Sequence, residues 1–343
     1  MSPIRLGLAA CSVAGAFILA GAASATPYPP VASGPMKGWT TLTTSKVTKG
    51  ASIFATANAD YVVATRPDGG LSISRFNLLF PNPIPAAAWK SLTKPGVASS
   101  EAHCQTTPDT VNVGKYYIFC LTLDASGKAL FQPLYASSSS DFSAIGVPVA
   151  LGGQVTPYAP VFLAYGAKAV ASYPLDFKFT AVTVSPLGQL SGRVMDVLES
   201  FGGATTGGSG SWTAIAPGFT GVPGCTADAG LCVGANADNT VTVFHYGGVG
   251  QDSKTITLGI SAALPAGLGG ETAIAVNKAG KYVVVARGQD GQLYENLLDG
   301  AFSGWKAEGG AVMAKTLPSC LASGDGVTCV VEGADGLLYA KAM

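Results

Sequence analysis

Short apolar runs alternate with turn residues along most of the chain. Residues 286–294 (Ala-Arg-Gly-Gln-Asp-Gly-Gln-Leu-Tyr) are echoed by residues 331–339 (Val-Glu-Gly-Ala-Asp-Gly-Leu-Leu-Tyr), and residues 64–71 repeat the pattern near the N-terminus. In each copy an apolar run meets an Asp-Gly turn, and a second apolar run follows. Because an Asp-Gly turn between alternating apolar residues is a strong hairpin signal, the pattern predicts repeated β-hairpins.

The aspartate of this turn marks six copies of a longer repeat. The marker aspartates are Asp68, Asp124, Asp176, Asp238, Asp290 and Asp335. Ten residues before each marker lies a second turn former: Asn58, Gly114, Gly166, Asp228, Gly280 and Asp325. The residues between the two turns are strand material, such as 116–119 and 282–285. Turn, strand and turn therefore recur six times, at intervals of 45 to 62 residues.

The tryptophans supply a second marker of the same repeat. Trp89 precedes Cys104 by fifteen residues, and Trp305 precedes Cys320 by the same fifteen. Two further tryptophans, at positions 39 and 212, stand at similar distances before Phe54 and Cys225. We expect each tryptophan on the last strand of one unit, just before the first strand of the next.

Six units of four short strands predict an all-β, six-bladed β-propeller, since blade repeats of this length are typical of that architecture. A seven-bladed ring fits the repeat count less well. After Asp335 only one strand remains, at 337–341, so the last blade lacks its outer strand. The segment 38–42 lies before the first unit and can supply that strand. This pairing would close the ring and remove exposed sheet edges.

The N-terminal segment has the layout of a secretory signal peptide. A short basic start, Met1–Arg5, precedes an apolar and small-residue run at 6–22, which ends at Ala23-Ser24-Ala25. We expect cleavage after Ala25, secretion, and a single propeller domain over 26–343. The apolar run is interrupted by polar and glycine residues, so membrane insertion is not expected. A lipoprotein site at Cys11 is the alternative, but most of the apolar run follows that residue.

Removal of Cys11 leaves six of the seven cysteines. In an oxidising compartment an even number indicates disulfides rather than metal ligands. They fall as three local couples: Cys104 with Cys120, Cys225 with Cys232, and Cys320 with Cys329. Other pairings are not excluded by the sequence, but local couples would join the inner strands of blades two, four and six.

Charge and composition narrow the possible partners. The chain has 20 basic and 20 acidic residues, so it offers no electrostatic case for nucleic acid or anionic lipid. Charged residues are only 12% and glycines number 45, which favours a β-rich protein with many turns. The two histidines, His103 and His245, lack metal-ligand spacing, so neither a metal nor a cofactor is predicted.

Two carboxylates could support an enzyme. Glu101 and Glu271 lie at the expected starts of the innermost strands of blades two and five, which face each other across a six-bladed ring. Such a pair could serve as general acid and base of a glycoside hydrolase. The alternative is that both are ordinary residues at strand ends. Glu101 and His103 are also the only local hint of a catalytic triad, and no nucleophile-elbow motif accompanies them.

The segments 290–295 (Asp-Gly-Gln-Leu-Tyr-Glu) and 303–310 (Ser-Gly-Trp-Lys-Ala-Glu-Gly-Gly) resemble blades of the fucose-binding β-propeller lectins of bacteria and fungi. The last two blades carry this resemblance well and the earlier blades carry it faintly. Such lectins place sugars in clefts between blades, where an aromatic ring stacks on the sugar and Arg and Glu side chains bind its hydroxyls.

The resemblance implies that Arg287, Glu295 and Trp305 bind a ligand in blade five, with Arg66 and Trp89 as partial equivalents in blade one. We therefore predict a secreted protein that recognises glycans or glycoconjugates between its blades; an apolar ring face with a few polar groups suits a neutral polyol. A glycoside hydrolase and a protein-binding scaffold are the alternatives, and the tryptophans could instead pack as core. The oligomeric state is not predicted.

Overall fold

The computed structural model describes residues 36–46, 49–56, 59–108, 112, 114–137, 141–144, 148–152, 161–168, 175–200, 203–207, 211–221, 223–226, 231–247, 255–310, 312 and 316–343. The predicted signal peptide, residues 1–25, lies outside these ranges. Within them the chain forms strands and one short 3-10 helix, Ala86–Ala88. No helix of the described part is long and apolar enough to cross a membrane.

The strands form six antiparallel sheets, which we number as blades in chain order. Blade one contains β2 (Ala51–Ala55), β3 (Asp60–Thr65), β4 (Leu71–Phe76) and β5 (Lys90–Ser91). Blade two contains β6 (His103–Pro108), β7 (Tyr116–Leu123), β8 (Ala129–Ala136), β9 (Phe142–Ala144) and β10 (Val149–Gly152). Blade three contains β11 (Val161–Lys168), β12 (Leu175–Val184), β13 (Leu190–Ser200), β14 (Gly203–Gly207) and β15 (Thr213–Ala216).

The second half of the chain forms the other three blades. Blade four contains β16 (Gly224–Cys225), β17 (Leu231–Ala235), β18 (Thr240–Gly247) and β19 (Thr255–Ala263). Blade five contains β20 (Leu268–Val276), β21 (Tyr282–Gly288), β22 (Leu293–Asp299), β23 (Ala301–Phe302) and β24 (Lys306–Gly309). Blade six contains β25 (Ser319–Ser323), β26 (Gly326–Glu332), β27 (Leu338–Ala342) and, from the other end of the chain, β1 (Thr40–Thr41).

The blades form a closed ring. The first strand of each blade contacts the first strand of the next, from β2 through β6, β11, β16, β20 and β25 back to β2. The ring is sealed as predicted, because Thr40 pairs with Ala340 and the backbone N–H of Leu42 donates to the carbonyl oxygen of Leu338 at 2.7 Å. The prediction of an all-β, six-bladed propeller closed by an N-terminal strand is confirmed.

Five of the six marker aspartates lie in the turn between the second and third strands of a blade. Each accepts a hydrogen bond from the backbone N–H two residues ahead, as an Asx-turn requires. Asp176 was the wrong marker, because it lies inside β12, and its companion Gly166 lies inside β11. The equivalent turn of blade three is 185–189, closed by the N–H of Gly188 donating to the carbonyl oxygen of Ser185 at 2.9 Å.

The other predicted turn formers fall between the first and second strands. Gly114, Gly280 and Asp325 occupy this position in blades two, five and six. Asn58 and Asp228 lie outside the described residues.

The three predicted disulfides are present. In each, the two cysteines are directly paired across neighbouring strands, with Cα atoms 4.1 Å apart, and join the first two strands of blades two, four and six. The tryptophans lie one residue before the outer strands β1, β5, β15 and β24 rather than on them.

Each blade presents alternate residues to its two neighbours. In blade five, Val283 and Val285 pack with Tyr339 of blade six. The intervening Val284 packs instead with Val233 of blade four. A residue's parity along the strand therefore decides which inter-blade cleft it faces.

Candidate functional site

Glu295 lies in the cleft between blades five and six. It is the third residue of β22, where it pairs with Val285 on one side and with Lys306 of β24 on the other. Its carboxylate Oε1 lies 2.9 Å from the Nζ atom of Lys306. The Glu295 side chain is 19% exposed and that of Lys306 is 69% exposed, so ligands can reach this pair from solvent.

The pair continues into a row of alternating charges. Lys306 Nζ also lies 2.7 Å from Oε1 of Glu308, whose Oε2 lies 2.6 Å from Nζ of Lys341 on β27. The row therefore crosses from blade five to blade six. It contains two carboxylates and two ammonium groups, so its net charge is zero.

The pKa values of the row follow from these contacts. Hydrogen bonds to Glu308 and Glu295 raise the pKa of Lys306. Burial opposes ionisation of Glu308, but hydrogen bonds from Lys306 and Lys341 outweigh it and lower the pKa of that carboxyl. These two shifts favour the charged forms of Lys306 and Glu308.

Trp39 supplies the aromatic ring of this cleft. It enters just before β1 and is 8% exposed among blade-five and blade-six side chains. Its Nε1 donates to the carbonyl oxygen of Glu308 at 3.2 Å, and Nζ of Lys341 lies 5.7 Å from the ring centroid. That distance is within the range of a cation–π contact.

Trp305 does not join Glu295. It packs on the opposite face of blade five, against a cluster that includes Val233 and Val241 of blade four. Its ring stacks on Phe302 with centroids 6.0 Å apart, and its Nε1 is buried without a hydrogen-bond partner among the described residues.

Arg287 lies on the same face of blade five as Glu295, but its side chain has other partners. Its Nη1 lies 3.5 Å from Oε2 of Glu271 on β20, and its Nε donates to the carbonyl oxygen of Val312 at 3.2 Å. The arginine predicted for sugar binding and one carboxylate predicted for catalysis are thus each other's partner. Glu271 is only 1% exposed, so the pair holds the first two strands of blade five together from inside.

The blade-one candidates are separated as well. Arg66 Nε lies 3.1 Å from Oδ1 of Asp68, and its Nη1 donates to Oγ of Ser91 at 2.6 Å, which ties the turn to β5. Trp89 packs against the cluster between blades six and one, which includes Leu42 and Ile84.

Glu101 lies two residues before β6, the first strand of blade two. It is 3% exposed, and its Oε1 lies 3.5 Å from Nε2 of His103. Its charge also helps to raise the pKa of Glu332. A cavity of about 470 Å³ runs between the inner strands, but no aspartate or glutamate occurs among the described residues that line it. Glu101 therefore has His103 as its neighbour, whereas Glu271 has Arg287.

Comparison with known proteins identifies the architecture. No family model and no curated protein matches the sequence. The fucose-specific lectin from Aleuria aurantia superposes with a TM-score of 0.54 at 12% identity, covering 87% of this chain and 93% of that chain. A second structure of that lectin, titled as a six-bladed β-propeller, gives 0.51 at 13% identity, with 85% and 90% covered.

A mutant of AofleA from Arthrobotrys oligospora gives a TM-score of 0.55 at 11% identity, covering 90% of this chain and 86% of that chain. At such identities the likeness is one of fold. The resemblance to fucose-binding propeller lectins predicted from the last two blades is therefore confirmed in architecture. The chain shares their six-bladed β-propeller fold.

Proposed function

We propose that this protein is a carbohydrate-binding propeller that holds a neutral glycan in the cleft between blades five and six. The proposal depends on one observation, the row of Glu295, Lys306, Glu308 and Lys341 beside the ring of Trp39. The fold shared with the fucose-specific lectin from Aleuria aurantia, which has also been solved in complex with α-methyl-L-fucoside, supports the same class of ligand.

The chemistry of the row suits a sugar. A hydroxyl group both donates and accepts hydrogen bonds, and neighbouring hydroxyls can therefore bridge a carboxylate and an ammonium group. Hydrogen bonds to charged groups are stronger than neutral ones, which offsets the cost of removing water from the polyol. The zero net charge of the row gives no preference for an ionic ligand, and the largely buried ring of Trp39 supports the row through its cation–π contact with Lys341.

Secretion is part of the same proposal. Three disulfides between paired strands indicate an oxidising compartment, and the N-terminal segment has the composition of a signal peptide. A glycan-binding protein outside the cell would meet its ligands on glycoconjugate surfaces.

The test is a glycan array followed by titration of the best ligand into wild-type protein and Glu295→Gln. We expect the variant to bind about ten- to hundred-fold more weakly, because it loses one charge-assisted hydrogen bond. Asp299→Asn is the matched control, since Asp299 ends β22, four residues after Glu295, and pairs there with Lys281 at 2.8 Å.

Equal affinities for wild type and Glu295→Gln would contradict the placement of the site, and an empty array would contradict the function. A reducing-sugar release assay on bound glycans checks the hydrolase alternative. Turnover lost on Glu101→Gln would favour an enzyme; the burial of Glu101 and Glu271 favours binding without turnover.

A further inference from the structure

Blade one repeats the Trp-Lys dipeptide of blade five with different neighbours. Ile73 pairs with Lys90 in the register in which Glu295 pairs with Lys306. Leu92 stands two residues after Lys90, where blade five has a glutamate two residues after its lysine. Blade one therefore keeps the lysine of the charged row but has apolar side chains in place of both carboxylates.

A cavity of about 410 Å³ opens at this position, between blade one and β9 of blade two. Its lining includes Ile73, Arg75, Lys90, two asparagines and the ring of Phe142. No aspartate or glutamate occurs among the described residues that line it. We call it the blade 1–2 cleft.

The two cations of the blade 1–2 cleft lie on one face of the sheet. Arg75 follows Ile73 by two residues on β4, so both side chains point to the same side, and Lys90 lies directly opposite Ile73. Both cations are exposed. Arg75 and Lys90 therefore give this cleft two positive charges.

We propose that the blade 1–2 cleft is a second saccharide site, and that it takes an anionic sugar bearing a carboxylate or sulfate group. The guanidinium of Arg75 can bind such a group with two parallel hydrogen bonds, and Lys90 adds a second positive charge. Asn77 Oδ1 and Asn82 Nδ2 already bond within their loop, so Asn77 can offer its amide nitrogen and Asn82 its amide oxygen to hydroxyls. The Phe142 ring offers an apolar wall.

This assignment extends the proposed function, because it assumes that the protein binds saccharides. The two clefts would then differ in charge. The cleft between blades five and six has two cations and two carboxylates, whereas the described residues that line the blade 1–2 cleft include two cations and no carboxylate. One protein molecule could then bind a neutral sugar and an acidic sugar of the same glycan surface at once, and its affinity for that surface would gain from avidity.

The test measures binding of three probes by calorimetry: a sulfated heparin tetrasaccharide, a carboxylated tetragalacturonate and the best neutral glycan from the array. We expect Arg75→Gln to weaken anionic probes about tenfold, and Arg75→Gln combined with Lys90→Gln to weaken them further. The affinity for anionic probes should fall with added salt, and the neutral glycan should be unaffected. Lys278→Gln is the matched control, since Lys278 is an exposed cation in the turn before β21.

Binding of only the sulfated or only the carboxylated probe would support the site and identify its ligand group. Binding of neither, with the neutral glycan still bound, would overturn this site and leave the proposed function intact. Equal losses for Arg75→Gln and Lys278→Gln would also overturn it, because they would indicate non-specific charge attraction. Failure of all three probes would overturn the proposed function itself.

Discussion

Replacing Glu332 with glutamine should stabilise the protein at high pH. Glu332 ends β26 and is 2% exposed, and its Oε2 has no hydrogen-bond partner among the described residues. Burial raises its pKa to about 7, and the negative charges of Glu101 and Asp335 act in the same direction. A backbone hydrogen bond from Gly50 and the positive charge of Lys49 lower the pKa but do not outweigh these effects.

The sign and size follow from proton linkage. Between the ordinary pKa of 4.5 and about 7, the folded state keeps a proton that the unfolded state has lost. The free energy of unfolding therefore falls as the pH rises through this window and is level above it. At 1.36 kcal/mol per pKa unit, the total loss is about 3 kcal/mol. Glutamine cannot ionise, so the variant escapes this loss.

Urea denaturation at pH 5, 6, 7 and 8, followed by tryptophan fluorescence, measures the difference. We expect the advantage of Glu332→Gln over wild type to grow by about 2 to 3 kcal/mol between pH 5 and pH 8. Asp299→Asn, which removes an exposed carboxylate, is the control and should show no such growth. A pH-independent difference between Glu332→Gln and wild type would refute the reasoning, because it would mean that Glu332 is ionised throughout.

Three further changes test the ring itself. Cys104→Ser with Cys120→Ser should lower the free energy of unfolding by about 3 kcal/mol, because the disulfide closes a loop over a separation of 16 residues; denaturation with and without reductant measures this, and a negligible loss would contradict it. Leu42→Ala should cost about 2 to 5 kcal/mol, since Leu42 is fully buried beside the closing strand pair; an unchanged urea midpoint would contradict its role in closure. Arg287→Met should cost about 3 to 5 kcal/mol by removing the cation beside buried Glu271, and adding Glu271→Gln should recover part of that loss; strictly additive losses would show that the two side chains are not coupled.

The fold could be predicted because its signals are local and repeated. An aspartate in the turn can hydrogen-bond the backbone two residues ahead in any blade, so the same dipeptide returns wherever the same turn is needed. The closure could also be predicted, because a last blade with one strand too few leaves an unpaired edge that the N-terminal segment can cover. Neither inference required knowledge of which side chains touch.

Blade three shows where a local signal fails. Its turn between β12 and β13 is Ser185-Pro186-Leu187-Gly188, with proline and glycine at positions that also favour a tight turn. Gly188 has a φ of +74°, a left-handed value that suits glycine. The backbone geometry is the same without the aspartate, so the aspartate pattern pointed to Asp176, which lies in a strand instead.

The candidate site was harder to predict because it depends on strand register. Glu295 and Lys306 are directly opposite, so their side chains share one face, and Trp305, which immediately precedes Lys306, packs on the other. The ring beside Glu295 belongs instead to Trp39, far away in sequence. It reaches the cleft only because β1 completes blade six, beside blade five. The ring closure and the Glu295 segment were both predicted from the sequence. Trp39 comes to lie beside the charged row only when the closure is combined with the register of β24, which the sequence does not show.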